Sequence, residues 1–374
     1  MVILGSPHLL SCVGEDFPNL AEIDQMNALW GLPQVPEDPT NRHQGNPDAV
    51  VLGEAFFNDP QFSSCGTVSC ASCHTNDGLT VAEALPPGCD GEHPPRNAPT
   101  ILNVAYSDWF MWDGRSDRLW NQARLPLFSP VEMNATPPLL RDRLASGYAA
   151  DYTALFGTDP STDSEDLLVA NFGKAIAAYE VTLNRSRSPF DQQLQDFISA
   201  ARDGNAESHP LFLGMKTFIR TGQCVVCHKG PTLSDQTFHN IGLEDASEAA
   251  RGRGAIVDFV TQSVFGADGP YSDAPNSLAT NRLNNLRTAA GPALAELEGS
   301  YKTPSLRNVA LTAPYMHTGK LGTLTDVVEF YNRGGDPEGA FKGVRTKTIV
   351  PLELTDQEKQ ALVDLMESMT GALE

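Results

Sequence analysis

The sequence predicts a mostly α-helical protein of two domains with long loops. Apolar residues recur at helical spacing in several segments, and no stretch alternates regularly enough to predict a β-strand. A chain of 374 residues is long enough to bury two hydrophobic cores. The pentad Cys-x-x-Cys-His occurs twice, at residues 70–74 and 224–228, so each domain can hold one copy.

Each pentad has the residue types that attach a c-type haem. Two thiols at this spacing add to the two vinyl groups of one porphyrin, and the histidine ligates its iron from the proximal side. The residues are Cys70, Cys73 and His74 in the first pentad, and Cys224, Cys227 and His228 in the second. A zinc knuckle needs further Cys or His ligands close by, and a thioredoxin-type dithiol does not need the histidine. The sequence therefore predicts two cytochrome c-like domains, each with one covalent haem.

Composition limits the partners and the compartment. The formal net charge of −21 argues against nucleic acid or an anionic membrane surface as partner. It suits a basic or neutral protein partner, although acidity also keeps proteins soluble. No run of 18 apolar residues occurs, so we expect no membrane span. Because covalent haem is attached outside the cytoplasm, we expect a periplasmic or otherwise exported protein whose signal peptide was removed or truncated.

Three cysteines are left over from the pentads, namely Cys12, Cys65 and Cys89. In an oxidising compartment, Cys65 and Cys89 could close a disulfide around the first haem loop. The alternative is that they are spare thiols.

We divide the chain into an N-terminal extended arm (1–46), an N-terminal haem domain (47–203), a C-terminal haem domain (204–350) and a C-terminal helix (351–374). The arm is assigned because residues 31–48 contain four prolines and no periodicity. We expect the C-terminal helix to pack back on the N-terminal domain.

Apolar periodicity predicts three helices, over residues 49–58, 164–183 and 211–220. Residues 242–300 are rich in Gly, Ala, Asn and Asp, which favours long loops with a short helix or two. Thr355 and Glu358 form a capping box that begins the C-terminal helix.

A further short helix carries Tyr331 on its apolar face. Its apolar residues fall at i, i+3, i+4 and i+7, namely Leu324, Val327, Val328 and Tyr331. Gly334 and Gly335 then end the helix. From periodicity alone, Tyr331 is a core residue with a satisfied hydroxyl.

Over roughly residues 45–370, the chain resembles the bacterial di-haem cytochrome c peroxidases and their relative MauG. Besides the pentads, three stretches carry the resemblance. They are Arg96-Asn97-Ala98-Pro99-Thr100, Trp112-Asp113-Gly114-Arg115, and the run from Thr303-Pro304-Ser305-Leu306-Arg307 to Pro314-Tyr315-Met316-His317.

The resemblance implies that Tyr331 is the second ligand of the C-terminal haem iron. The peroxidases have a methionine at this position, whereas MauG has a tyrosine; Met316, the nearest methionine here, is expected to pack. A phenolate favours ferric iron and a thioether favours ferrous iron. The resemblance is therefore closer to the MauG type, in which two haems together store two oxidising equivalents in high-valent iron.

The resemblance also implies that the first haem is the high-spin haem that binds peroxide. Glu132 would carry a proton between the peroxide oxygens, Gln122 would orient the peroxide and Pro126 would restrict access. A glutamate and a glutamine of an ordinary loop are the alternative. His93 lies in the loop from which a histidine blocks this haem in classical peroxidases, but its spacing to Asn97 is shorter than expected. We favour a solvated loop histidine, which would leave the site open.

Other residues match the family outside the two pockets. Trp112 would relay electrons between the haems, with a core tryptophan as the alternative. Asn97, Thr312 and Pro314 match a calcium site between the domains. We also expect Arg115 and Arg307 to pair with haem propionates.

We therefore expect a MauG-like oxidoreductase that uses hydrogen peroxide to oxidise a Trp or Tyr residue of a partner protein by long-range electron transfer. One alternative is a cytochrome c peroxidase that takes electrons from a small cytochrome. The other is a non-enzymatic di-haem electron carrier.

Overall fold

The computed structural model describes residues 17–75, 78–80, 85–185, 187–245, 247–289 and 292–371. These residues form mainly helices and loops. The longer helices are α1 Leu20–Leu29, α2 Pro47–Asn58, α5 Pro137–Gly147, α6 Ala149–Phe156, α7 Glu165–Glu180, α8 Pro189–Arg202, α11 Leu278–Thr288, α13 Leu324–Asn332 and α14 Asp356–Ser368. The shorter ones are α3 Leu119–Gln122, α4 Arg124–Phe128, α9 Phe212–Lys216, α10 Val257–Thr261 and α12 Pro292–Ala295.

The predicted helices form near the predicted positions. Asn46 and Ser164 cap α2 and α7, and Thr355 caps α14 in the predicted box with Glu358. Helix α9 continues into a wider turn over Thr217–Thr221. Within the described residues, no helix has both the length and the apolar character needed to cross a membrane.

The first hydrophobic core lies where α2 crosses α7. Phe56 of α2 stacks on Phe172 of α7, with ring centroids 5.1 Å apart. The backbones approach so closely that a Cβ atom on Gly53 would overlap the carbonyl oxygen of Ala175. Only glycine fits this position, because the side chain of any other residue would displace α7.

The second core corrects two predictions about domain organisation. Helix α8 packs here rather than in the first core, through residues such as Phe190 and Leu194, so the boundary predicted at 203–204 falls too late. Helix α14 also joins the second core, through Leu362 and Leu365, and does not pack back on the N-terminal domain. Amphipathic faces can be predicted from sequence, but the core that they join depends on tertiary contacts.

The predicted extended arm contains α1. Asn19 and Glu22 form a capping box that begins this helix. Its apolar residues Ile23, Met26 and Leu29 are buried in the second core. Of the predicted arm, residues 1–16 lie outside the described residues.

Residues 242–300 hold more helix than predicted, since α10, α11 and α12 all lie here. A small third core forms around Trp109, Val260 and Leu283. The sequence also missed a two-stranded antiparallel pairing of β1, Phe238–His239, with β2, Tyr301–Lys302. Strands of two residues are too short to produce a recognisable alternation.

A disulfide joins Cys65 to Cys89, with Cα atoms 5.4 Å apart. The structure therefore favours the bridge over spare thiols. Cys12 lies outside the described residues.

Candidate di-haem active site

The two pentads fold into the same local turn. The backbone N–H of His74 donates to the carbonyl of Cys70 at 2.9 Å, and that of His228 donates to the carbonyl of Cys224 at 2.8 Å. A short 3-10 turn, Cys70–Ser72 or Cys224–Val226, forms the first three residues of each pentad.

One continuous cavity of about 730 Å³ contacts both pentads. Its lining includes the four cysteines and two histidines of the pentads, namely Cys70, Cys73, His74, Cys224, Cys227 and His228. Burial raises the pKa of the Cys224 thiol to about 12 and that of the Cys70 thiol further, so both are protonated at neutral pH. These are the thiols that would add to the porphyrin vinyl groups.

Both histidines are neutral and half-buried in the cavity wall. Burial lowers the pKa of His74 to about 4 and also lowers that of His228. His228 donates its Nδ1–H to the carbonyl of Leu233 at 2.9 Å, which leaves the Nε2 lone pair for a metal. Among the described residues, the buried Nδ1 of His74 has no hydrogen-bond partner. A large cavity, four thiols and two neutral imidazoles fit two c-type haems.

Three predicted residues come together beside the first pentad. Gln122 at the end of α3, Pro126 in α4 and Glu132 after it all line the cavity. The disulfide supports this segment, because the backbone N–H of Cys89 donates to the carbonyl of Glu132 at 2.9 Å. The structure therefore places a carboxylate and an amide in the wall of the cavity that His74 also lines.

Sequence reasoning missed Glu180, a second carboxyl group of this pocket. It is only 4% exposed, lines the cavity at the end of α7, and its Oε2 has no hydrogen-bond partner among the described residues. Burial raises its pKa to about 8. Both Glu180 and Glu132 act on the pKa of Cys70. The periodicity contained the signal, since Glu180 continues the i, i+4 row of Phe172 and Ile176 on the buried face.

Tyr331 lies beside the second pentad, on the cavity-facing side of α13. Burial raises the pKa of its phenol, and the thiols of Cys227 and Cys224 add to this effect. Without a cation nearby the phenol stays protonated, and a bound iron would reverse this preference. The residue is therefore placed where a metal in this pocket would determine its ionisation.

Sequence reasoning also missed an ion pair in the second pocket. His239 lines the cavity and lies 2.8 Å from the carboxylate of Asp235. Hydrogen bonding to Asp235, and then to Cys227, raises the pKa of His239 to about 10. No sequence motif marked this pair, because its partners meet through the local turn before β1.

Trp112 lines the cavity that contacts both pentads. Its indole N–H donates to the carbonyl of Asn97 at 2.7 Å. Its own carbonyl accepts from the backbone N–H of Lys302 at 2.8 Å. The turn that follows is held by Asp113, which pairs with Arg96 at 2.6 Å and Arg115 at 3.2 Å.

The three residues matched to a calcium site lie near one another. The Asn97 side-chain amide is 2.7 Å from the carbonyl oxygen of Pro314 and 3.2 Å from that of Met316. Thr312 lines the same part of the cavity. An amide flip would direct the Asn97 oxygen towards these carbonyls and create an oxygen-rich cluster suited to a hard cation.

The two arginines expected to face haem propionates differ. Arg115 lines the cavity, in agreement with the expectation. Arg307 is instead buried in the second core, where it binds both carboxylate oxygens of Asp191 at 3.0 Å and the carbonyl of Leu29. Because these partners occupy its guanidinium, we withdraw the propionate assignment for Arg307.

His93 does not line the cavity. Its side chain is exposed, and its Nδ1 contacts the carbonyl of Leu85 in the same loop. This placement agrees with a solvated loop histidine.

The chain is similar to known proteins over most of its length. A family model of di-haem cytochrome c peroxidases matches residues 47–197. The methylamine utilization protein MauG of Methylorubrum extorquens is 31% identical over 333 residues, covering 86% of this chain and 78% of that protein. The chain belongs to the di-haem cytochrome c peroxidase and MauG family. It is therefore a haem-dependent oxidoreductase.

Relatives of both kinds occur within the family. Cytochrome-c peroxidase IdrP2 of Denitromonas iodatirespirans is 32% identical over 360 residues, covering 94% of this chain and 88% of that protein. Among solved structures, a MauG-like protein associated with microbial copper homeostasis is similar, with a TM-score of 0.64 and 25% identity over 91% of this chain and 95% of that chain. Family membership thus implies two haems, peroxide and a protein partner, and includes both MauG and peroxidase types.

Proposed function

We propose that this protein is a MauG-like oxidoreductase that uses hydrogen peroxide to oxidise an aromatic residue, Trp or Tyr, of a partner protein. The observation that carries this proposal is Tyr331 at the second pentad, where a phenolate would favour ferric over ferrous iron. An enzyme that accepts electrons from a small cytochrome needs a second haem that is readily reduced. A site suited to higher oxidation states fits an oxidising role instead.

The cavity would hold two covalent haems, with His74 and His228 as proximal ligands and Tyr331 on the second iron. When bound, the two haems would supply the redox chemistry, with peroxide as the two-electron oxidant. Arg115 would pair with a propionate, and Asn97, Thr312 and Pro314 would hold calcium between the two haem regions.

Glu132 and Gln122 would handle peroxide at the first haem. The Glu132 carboxylate would accept a proton from the inner peroxide oxygen and return it to the outer oxygen, which leaves as water. The Gln122 amide would orient the peroxide without competing for its proton, and Pro126 would narrow the access.

Trp112 would pass electrons between the two pockets. Because its N–H donates to a backbone carbonyl, which is a weak base, the indole would keep its proton when it loses an electron. The electron lost from Trp112 is then replaced from the partner's aromatic residue, which needs no contact with either iron. A partner with a basic or neutral surface would suit the acidic charge of this chain.

The second candidate is a cytochrome c peroxidase, favoured by the long match to IdrP2. Substitution Tyr331→Met distinguishes the two, with Tyr315→Phe, another tyrosine of the cavity lining, as the matched control. The assay adds peroxide to each holoprotein and follows the oxidation of reduced small cytochrome c by absorbance.

We expect slow turnover in the wild type and in Tyr315→Phe, and turnover at least about tenfold faster in Tyr331→Met. Fast wild-type turnover that Tyr331→Met leaves unchanged would instead assign the peroxidase function.

A further inference from the structure

Two tryptophans line the cavity, and their surroundings differ. Trp109 and Trp112 are three residues apart, and both line the cavity that contacts the two pentads. An enzyme that draws electrons through aromatic side chains could use either ring. The charges around each ring determine which one loses an electron more easily.

Trp109 is in contact with a buried cation. The guanidinium carbon of Arg253 lies 4.0 Å from the centroid of the Trp109 ring and 4.3 Å from that of the Phe238 ring. It donates to the carbonyls of Asp113 and Gly114, and only 1% of Arg253 is exposed. Burial lowers its pKa only to about 10, so it remains charged at neutral pH.

Gly114 makes this arrangement possible. Its φ of +69° lies in the left-handed region, and a Cβ atom there would lie 2.7 Å from Nη1 of Arg253 and would overlap the Phe238 ring. The turn that presents Trp112 therefore also seats the guanidinium against Trp109.

Trp112 has no such neighbour. Among the described residues, no cation lies over its ring; the ring meets His317 edge-on, with centroids 6.4 Å apart. Burial lowers the pKa of His317, which keeps that imidazole neutral. The nearby arginines Arg96 and Arg115 both pair with the buried carboxylate of Asp113.

Removing an electron from an indole creates a positive charge on the ring. A cation 4.0 Å away opposes that charge, and the opposition is stronger in a buried site than in water. Arg253 therefore makes Trp109 harder to oxidise than Trp112.

We propose that Arg253 is a positioning residue that protects Trp109 from oxidation and thereby confines electron transfer to Trp112. This inference rests on the proposed function, because it needs peroxide to oxidise the loaded enzyme.

The chemistry of the unprotected ring balances with peroxide as the oxidant. In the absence of a partner protein, an indole loses two electrons, and one aromatic C–H bond is replaced by a C–O bond with oxygen from water. The two electrons and two protons released reduce hydrogen peroxide to two waters. The product is a tryptophan with one added oxygen atom, which peptide mass spectrometry detects.

The test treats holoprotein with peroxide without a partner and measures oxidation of the Trp109 and Trp112 peptides. Variant Arg253→Gln removes the charge, and Arg253→Lys keeps it. The matched control is Arg251→Gln, which changes a nearby exposed arginine that pairs with Glu298 at 2.8 Å.

We expect Arg253→Gln to raise Trp109 oxidation at least about fivefold. Arg253→Lys and Arg251→Gln should stay within about twofold of the wild type. The inference is overturned if Trp112 is oxidised in every protein and Trp109 oxidation does not rise in Arg253→Gln. Oxidation of neither tryptophan, with no spectral response to peroxide, would refute the proposed function instead.

A second variant keeps the test decisive if Arg253→Gln does not fold. Trp109→Phe leaves Arg253 in place, and Trp112 oxidation should stay within about twofold of the wild type because Trp109 lies off the path. A large loss of Trp112 oxidation in Trp109→Phe would show that Trp109 carries the electron, contrary to the inference.

Discussion

The pocket of the first pentad and that of the second are built on the same turn but contain different chemistry. The first contains the carboxyl groups of Glu132 and Glu180, which can carry a proton, and the neutral amide of Gln122. The second contains Tyr331 and the ion pair of His239 with Asp235. Motif identity therefore fixes how a haem is attached, whereas the residues brought in by other helices determine what each haem can do.

The largest effect is expected in the first pocket, on the reaction with peroxide. Glu132→Gln removes the proton carrier, so the rate of reaction with peroxide should fall by about 10²- to 10⁴-fold. Stopped-flow absorbance measures this rate. Glu92→Gln, in an exposed loop, is the control and should be unchanged. A loss of less than about threefold in Glu132→Gln would remove Glu132 from the mechanism.

The next effect concerns the second core, which supports the Tyr331 pocket. Asp191→Asn leaves the buried Arg307 without its carboxylate, which should cost about 3–5 kcal/mol of unfolding free energy. Denaturant titration tests this. Asp196→Asn, on the exposed face of the same helix, should cost under about 0.5 kcal/mol. Equal losses of unfolding free energy in both variants would show that the ion pair of Asp191 with Arg307 does not stabilise the fold.

The same pair predicts a pH dependence. Burial opposes ionisation of Asp191, but the hydrogen bonds and positive charge of Arg307, together with backbone hydrogen bonds from Gly31 and Ser188, outweigh it and hold the pKa of Asp191 below its usual value. A lowered carboxyl pKa stabilises the fold above the unfolded pKa of about 3.9, and this stability is lost as pH falls through the folded pKa. The stability difference between wild type and Asp191→Asn should therefore shrink below about pH 4. A difference that stays constant down to pH 2 would contradict the assignment.

The disulfide is a feature of the first pocket alone among the described residues. The double variant Cys65→Ser with Cys89→Ser opens a loop with a sequence separation of 24 and should cost about 3 kcal/mol. The peroxide reaction should slow as well, since Cys89 anchors the Glu132 backbone, while the spectrum of the second haem stays unchanged. Equal perturbation of both haem spectra would show that the two pockets are not independent.

The smallest effect is at the turn between the pockets. Gly114→Ala adds a methyl group against Phe238 and Arg253 at a positive φ, so we expect a loss of about 2–3 kcal/mol. Gly91→Ala shares the positive φ but has open space around it, and should lose only about 1 kcal/mol. Thermal denaturation measures both. Similar losses of stability in the two variants would show that the close packing around Gly114 adds nothing to the cost of a side chain there.

Sequence reasoning predicted the features that depend on local pattern. The helix with Tyr331, the capping box at Thr355 and the helix ending at Glu180 follow from periodicity and caps. The predicted domain boundary was wrong because the apolar face of α8 could pack in either core. The propionate prediction for Arg307 was wrong because an arginine pairs equally well with a propionate and with a side-chain carboxylate. Only the fold brings Asp191 to it.

Only the part of the candidate site that depends on local sequence or on the resemblance could be predicted. The pentads are local, and the resemblance supplied Tyr331, Glu132 and Trp112. The contact of Arg253 with Trp109 joins residues far apart in sequence, and no local pattern indicates it.

The most direct test of the inequality between the two pockets is the electron paramagnetic resonance spectrum of the resting ferric holoprotein. The proposal predicts one high-spin haem, from the open pocket of Glu132, and one low-spin haem whose signal changes in Tyr331→Met and stays constant in Tyr315→Phe. Two low-spin haems that are both insensitive to Tyr331→Met would contradict it.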